Sequence, residues 1–167
     1  RVAVLQRIVP HYRVPFIRAL ASSDRYRYSI LCGESTTASA LTSILNDHEI
    51  HYARVTNRYF RGTDSLVWQS GVVPPVWNRH FDVVIAEFSL RIISNVVACP
   101  LARLRGMPFI WWGHGLSPSP FSVRLTLAFA RMADALLLYS YEMKERFVRY
   151  GLDERKLFVA LNSIDVR

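Results

Sequence analysis

Two rhythms of apolar residues alternate along the chain. Short runs rich in Val, Ile, Leu and aromatic residues occupy positions 2–6, 28–32, 51–55, 82–86, 109–112, 135–139 and 157–160, and their length and composition predict strands. Longer stretches with helical spacing separate several of them. Pro15 suits the first turn of a helix running through Phe16, Ile17 and Leu20, since its missing N–H has no intrahelical partner there anyway. Ser89 is read as the cap of a helix over 90–104 that Gly106 and Pro108 end, and Ser119 before Pro120 opens another to about Met132. Ser140 caps a last helix, with Arg149 in its final turn and Gly151 as its stop, a placement that matches the preferences of helix ends. Strands alternating with helices predict an α/β fold, a three-layer sandwich around a mostly parallel sheet of about seven strands. Residues 57–80 fit neither rhythm and are read as a long irregular connection with one short helix. A connection of that length is unusual in a compact domain.

Composition narrows this to one domain over 1–167: 51% of residues are hydrophobic and 20% charged, with no repeat period and no low-complexity tract. The formal net charge is +8, carried almost wholly by Arg, with Lys only at 144 and 156. Such a balance either attracts phosphates, anionic lipid head groups or nucleic acid, or is spread over solvated faces. Cys32 and Cys99 lie far apart inside apolar runs, which predicts buried reduced thiols and neither a disulfide framework nor a zinc site. Reduced thiols, and an opening that runs straight into a strand without a leader pattern, set the expectation of a cytoplasmic protein. The least polar stretch, 90–104, carries Arg91, Asn95, Pro100 and Arg103. It is read as a buried helix and not as a membrane span.

In an open parallel sheet, ligands bind outside the carboxyl ends of the strands. Residues 7–13, Glu87, the trio Gly113, His114 and Gly115, and the pair Ser140 and Tyr141 fall at such ends. The first turn has no G-x-G-x-x-G or Walker pattern, which argues against a dinucleotide-dependent oxidoreductase. There is also no G-x-S-x-G elbow, no H-E-x-x-H, and no His and carboxylate cluster at metal-ligand spacing. His114, between two glycines that permit a tight turn, either faces a cleft or serves as a hydrogen-bonded structural residue. Glu87 accepts ligand hydroxyls or pairs with an Arg. Arg13, with His11 and Tyr12, binds an anionic or hydroxyl-rich ligand or solvates the start of a helix. Tyr59, Phe60, Trp68 and Trp77 interleave with Arg58, Arg61 and Arg79. That mixture suits sugar stacking, a membrane patch or single-stranded nucleic acid, but core packing is the favoured reading for most of these rings.

The segments VAVLQRIVPHYRVPFIRALA, FDVVIAEFS, GMPFIWWGHGL and ADALLLYSYEMKERFVRYGLDERKLFVALNSID resemble, in order and spacing, the N-terminal domain of family 4 glycosyltransferases, which have the GT-B architecture. The resemblance covers nearly the whole chain. It implies a Rossmann-like, acceptor-side domain over 1–167, with the donor-binding domain of such enzymes absent from these residues, so that the chain alone is expected to be inactive. It further implies a retaining, metal-independent and cofactor-free transfer of a hexosyl group from a nucleotide sugar, held through the other domain, to a saccharide or lipid-linked saccharide. His114 matches the family's histidine near the reacting centre. His11, Tyr12, Arg13, Glu87, Gly113, Gly115 and Ser140, singled out above by their places at strand ends, are the expected substrate-binding positions. Pro10 to Arg13 stand where the family often has a glycine-rich turn, and Leu161 and Ser163 replace the Pro and Gly of its interdomain linker. Polysaccharide biosynthesis on the inner membrane face, with peripheral contact to anionic lipid and no nucleic-acid partner, completes the expectation. The alternative is a non-catalytic Rossmann-like module that binds anionic glycans or lipid head groups.

Overall fold

A computed structural model describes residues 1–35, 43, 50–60, 66–116 and 120–161. Ser119, Arg61 and the linker at 162–165 lie outside the described residues. All seven predicted strands form, as β1 (Val2–Leu5), β2 (Tyr28–Cys32), β3 (Tyr52–Arg54), β6 (Val83–Glu87), β7 (Phe109–Gly113), β8 (Ala135–Leu138) and β9 (Leu157–Val159). They join in one sheet in the order β3-β2-β1-β6-β7-β8-β9, every neighbouring pair parallel.

Alternate strand residues point to opposite faces, and each face has its own cover. Val2, Val4, Ile30, Cys32 and Trp112 pack with Ile17 of α1 (Val14–Ala21) on one side. Leu5, Ala86, Trp111 and Leu138 belong to the larger core on the other side. There they meet Val76 of α2 (Val73–Trp77), Ala98 of α3 (Ile93–Leu104), Leu127 of α4 (Pro120–Met132) and Phe147 of α5 (Tyr141–Arg149). Helices on both faces of a parallel sheet make the Rossmann-like three-layer sandwich. No described helix is long and apolar enough to cross a membrane. Both cysteines are free and buried, and burial pushes each thiol up to about 12.

Two expectations are corrected. The segment read as irregular holds an antiparallel pair, β4 (Thr56–Tyr59) and β5 (Val67–Ser70), followed by α2. Its aromatics do not fill the core: Phe60 is 48% and Trp77 47% exposed, while Tyr59 and Trp68 are half-buried. The Arg105 guanidinium lies 5.1 Å from the Trp77 ring, so an exposed face of the indole is covered by a cation instead of by apolar side chains. The second correction concerns Ser89. Its helix begins at Ile93, with Ile92 as an N-cap lacking a side-chain bond. A parallel bridge from Val67 to Ile92 and a hydrogen bond from Val67 N–H to Arg91 O at 2.9 Å hold the preceding stretch out of helical conformation. Pairing with the hairpin outcompetes the local cap. Ser140 does cap α5, accepting from Met143 N–H at 3.2 Å, and Gly151 ends it with φ of 76°.

Candidate functional site at the sheet switch point

From β1 the chain builds outward to β2 and β3, and then returns to the other side of β1 for β6 onward. Such a reversal splays the loops at the strand ends and leaves a crevice at the carboxyl edge. A cavity of about 490 Å³ lies there, lined by Tyr12, Arg13, Glu87, Gly113, His114 and Gly115 among others. Six of the positions singled out in the sequence are thus brought together.

His114 is presented by its glycines. Gly113 closes β7 with φ of 150° and Gly115 follows with φ of 74°, values that a residue with a Cβ rarely adopts. A Cβ on Gly115 would also sit 2.7 Å from Cδ1 of Phe88 and 3.0 Å from Cζ of Phe147. The tight turn leaves the imidazole exposed, edge-on to the Tyr139 ring at 4.7 Å between centroids.

Arg13 is held from several sides. Its Nη1 donates to Gln6 Oε1 at 3.0 Å and its Nη2 to the Tyr139 hydroxyl at 2.5 Å, while its guanidinium lies 5.1 Å from the Trp112 ring and 5.4 Å from that of Tyr139. A planar cation fixed this way is pre-organised for a ligand. Burial raises the Tyr139 phenol above its ordinary value, and the charge and hydrogen bond of Arg13 offset part of that rise. The phenol therefore keeps its proton, and can donate onward while it accepts from Arg13. Glu87 accepts from the backbone N–H of Arg7 at 3.0 Å, which ties the end of β6 to the loop after β1.

The hairpin β4–β5 braces these loops through buried amides. Gln69 Nε2 donates to Gln6 O at 3.0 Å and to Asn57 Oδ1 at 2.9 Å. Asn57 Nδ2 in turn donates to Arg7 O and Glu34 O, both at 2.8 Å.

Two sequence candidates fall elsewhere. His11 is exposed beside Tyr12, and Ser140 is engaged as the cap of α5; neither lines the cavity. Tyr139, Gln6, Arg91 and Thr126 belong to the site and were not singled out. The strand-end criterion reaches the first two, but the apolar runs 2–6 and 135–139 place both inside strands. Among the described residues no group of three or more His, Cys, Asp or Glu is placed to hold a metal ion.

No protein-family model matches the chain, and no curated protein matches it. Its sandwich does recur in solved structures across nearly its whole length. HepE from Anabaena, solved in complex with UDP-glucose, superposes with a TM-score of 0.65 at 18% identity over 98% of this chain and 44% of that one. The UDP-GlcNAc 2-epimerase from Methanocaldococcus jannaschii gives a TM-score of 0.56 at 14% identity over 95% and 44%. The lipopolysaccharide outer core galactosyltransferase WaaB, in its apo form, gives 0.56 at 17% identity over 99% and 46%. The chain spans less than half the length of each, and at these identities the likeness shows a shared fold.

Proposed function

We propose that this chain is the acceptor-side half of a GT-B glycosyltransferase of the family 4 kind. The whole protein would move a hexosyl group from a nucleotide sugar to a hydroxyl of a saccharide or lipid-linked saccharide, with retention of anomeric configuration. The position of His114 supports this most directly. It stands exposed between two positive-φ glycines, in a cavity that also presents Arg13 and Glu87, at the switch point of the sheet. Imidazole, guanidinium, phenol and carboxylate together offer the donors and acceptors that sugar hydroxyls require. In this reading His114 hydrogen-bonds the transferred sugar and holds its anomeric carbon near the acceptor oxygen. Glu87 and Arg13 orient the acceptor. The ordered motif series of the sequence, and neighbours solved with UDP-glucose or described as a galactosyltransferase, point the same way.

The same fold occurs in a UDP-GlcNAc 2-epimerase, so the decisive experiment separates the two chemistries. The full-length protein is incubated with a panel of nucleotide sugars and saccharide acceptors, and products are followed by NMR. Transfer with the donor's anomeric configuration kept is expected. Epimerisation of the free nucleotide sugar, or no turnover of any donor, would reject the assignment, the latter in favour of a binding module.

Peripheral contact with anionic membranes is part of the proposal. It is supported by the +8 charge and by Phe60 and Trp77, both nearly half exposed.

A further inference from the structure

A second, smaller cavity of about 100 Å³ shares Tyr12, Arg13 and Glu87 with the large one. Among the described residues, the two linings together hold three arginines, Arg7, Arg13 and Arg91, against one carboxylate, that of Glu87. Glu87 takes the backbone N–H of Arg7 and forms an ion pair with neither Arg13 nor Arg91. The crevice therefore carries a positive excess, and a cleft of one sign gathers ligands of the other.

Arg13 is the cation best placed to use that excess. It is half-buried, yet both of its hydrogen bonds go to neutral acceptors, the Gln6 amide oxygen and the Tyr139 hydroxyl. A guanidinium has five N–H donors, so three are left without an acceptor among the described residues, the Nε–H included. Nε is not one of the unpaired polar atoms sealed from solvent, and Arg13 lines both cavities. The rings of Trp112 and Tyr139 flank the guanidinium, so little freedom is lost when a ligand docks on it. A sugar hydroxyl could accept from Arg13 but would leave a half-buried charge without a counter-ion. An oxyanion accepts and neutralises at once, through the stronger, charge-assisted kind of hydrogen bond. Arg91 lines the large cavity with an exposed side chain that has no bonded partner among the described residues, and it adds to the same attraction.

We infer, on the saccharide reading above, that the acceptor is anionic: a saccharide bearing a phosphate or carboxylate, whose oxyanion Arg13 holds while Glu87 remains for its hydroxyls. In that reading the donor's phosphates fall to the other domain. The loop after β1 agrees, because residues 6–13 contain none of the glycines that let a backbone approach a diphosphate closely.

The test follows the Arg13 Nε–H and His114 ring resonances by NMR while the chain is titrated with methyl glucoside, methyl glucuronide, glucose 1-phosphate, glucose 6-phosphate, inorganic phosphate and UDP. Saturable shifts at both residues are expected with at least one anionic saccharide. Its affinity should exceed that of methyl glucoside about tenfold, and the gap should narrow as salt is raised. Arg13→Gln should lose that tenfold for the anionic saccharide, and Arg13→Lys, which keeps the charge without the planar fork, should recover part of it. Arg91→Gln, at an exposed side chain, should lose about threefold. Methyl glucoside binding as tightly as every anionic saccharide, or an Arg13→Gln variant that binds the anionic saccharide normally, would overturn the anionic acceptor and leave a saccharide site in place. UDP or inorganic phosphate binding at Arg13 more tightly than any anionic saccharide would assign the charge to another ligand, and would overturn it as well. Silence at both residues with every probe would overturn the saccharide reading, and the anionic acceptor with it.

Discussion

The imidazole of His114 stands edge-on to the ring of Tyr139, with centroids 4.7 Å apart and planes at 78°, and the Tyr139 hydroxyl is itself bound by Arg13. Ring packing of this kind restrains the imidazole without consuming its nitrogens. Among the described residues no hydrogen bond to the His114 ring is found, and His114 lines the cavity.

Because His114 is exposed and packs edge-on to Tyr139, His114→Ala should cost under ~1 kcal/mol of stability and leave Tm within a few degrees. Loss of a positioning hydrogen bond should cut turnover of the full-length protein by about a hundredfold. Thermal unfolding and initial-rate measurements on the same preparation check both parts. A large drop in Tm with normal specific activity would make the residue structural.

Gly115 and Gly106 both have positive φ, 74° and 63°, but only Gly115 has neighbours where a Cβ would go. Gly106→Ala should therefore cost about 1 kcal/mol, from backbone strain alone. Gly115→Ala adds a clash with Phe88 and should cost about 2–4 kcal/mol in all. Urea unfolding of the two variants, compared at equal m-value, measures the difference.

Gln69 is fully buried and bridges Gln6 O to Asn57. Gln69→Leu keeps the volume but strips both acceptors of a donor, for an expected loss of about 1–3 kcal/mol. Since the hairpin then loses a tie to the loop after β1, limited proteolysis should cut within 6–13 faster than in the parent chain.

Cys32 and Cys99 have thiols held up at about 12, against an ordinary value of 9.0, mainly by burial. The native state thus keeps its thiol protons at pH values where the unfolded chain loses them. By linkage, this contribution is unchanged below pH 9 and is lost as pH rises from about 9 to about 12. Both thiols should resist alkylation at pH 8 in the native protein and react fully in denaturant, as mass spectrometry would show.

Co-sedimentation should find the chain on vesicles containing anionic lipid and not on neutral ones, with binding that falls as salt screens the attraction. Replacing Phe60 and Trp77 by Ser should weaken it further. Equal binding to both vesicle types would exclude a charge-driven contact.

The places of the strands and of most helix ends were legible in the sequence, because they depend on neighbours. An apolar run such as 135–138 is buried on whichever sheet it joins, and Ser140 reaches Met143 N–H within its own turn. The glycines around His114 likewise announced their turn. What the sequence left undetermined are contacts between distant residues. Whether Ser89 or Ile92 begins a helix turns on pairing with Val67, and 57–80 reads as irregular until Thr56–Tyr59 finds Val67–Ser70. Arg13 and Tyr139 are 126 residues apart, and Gln69 and Gln6 are 63 apart, yet these bonds orient the guanidinium and tie the loop after β1 to the hairpin. Hydrophobic periodicity carries no record of such partners; only the order of strands in the sheet brings them within reach.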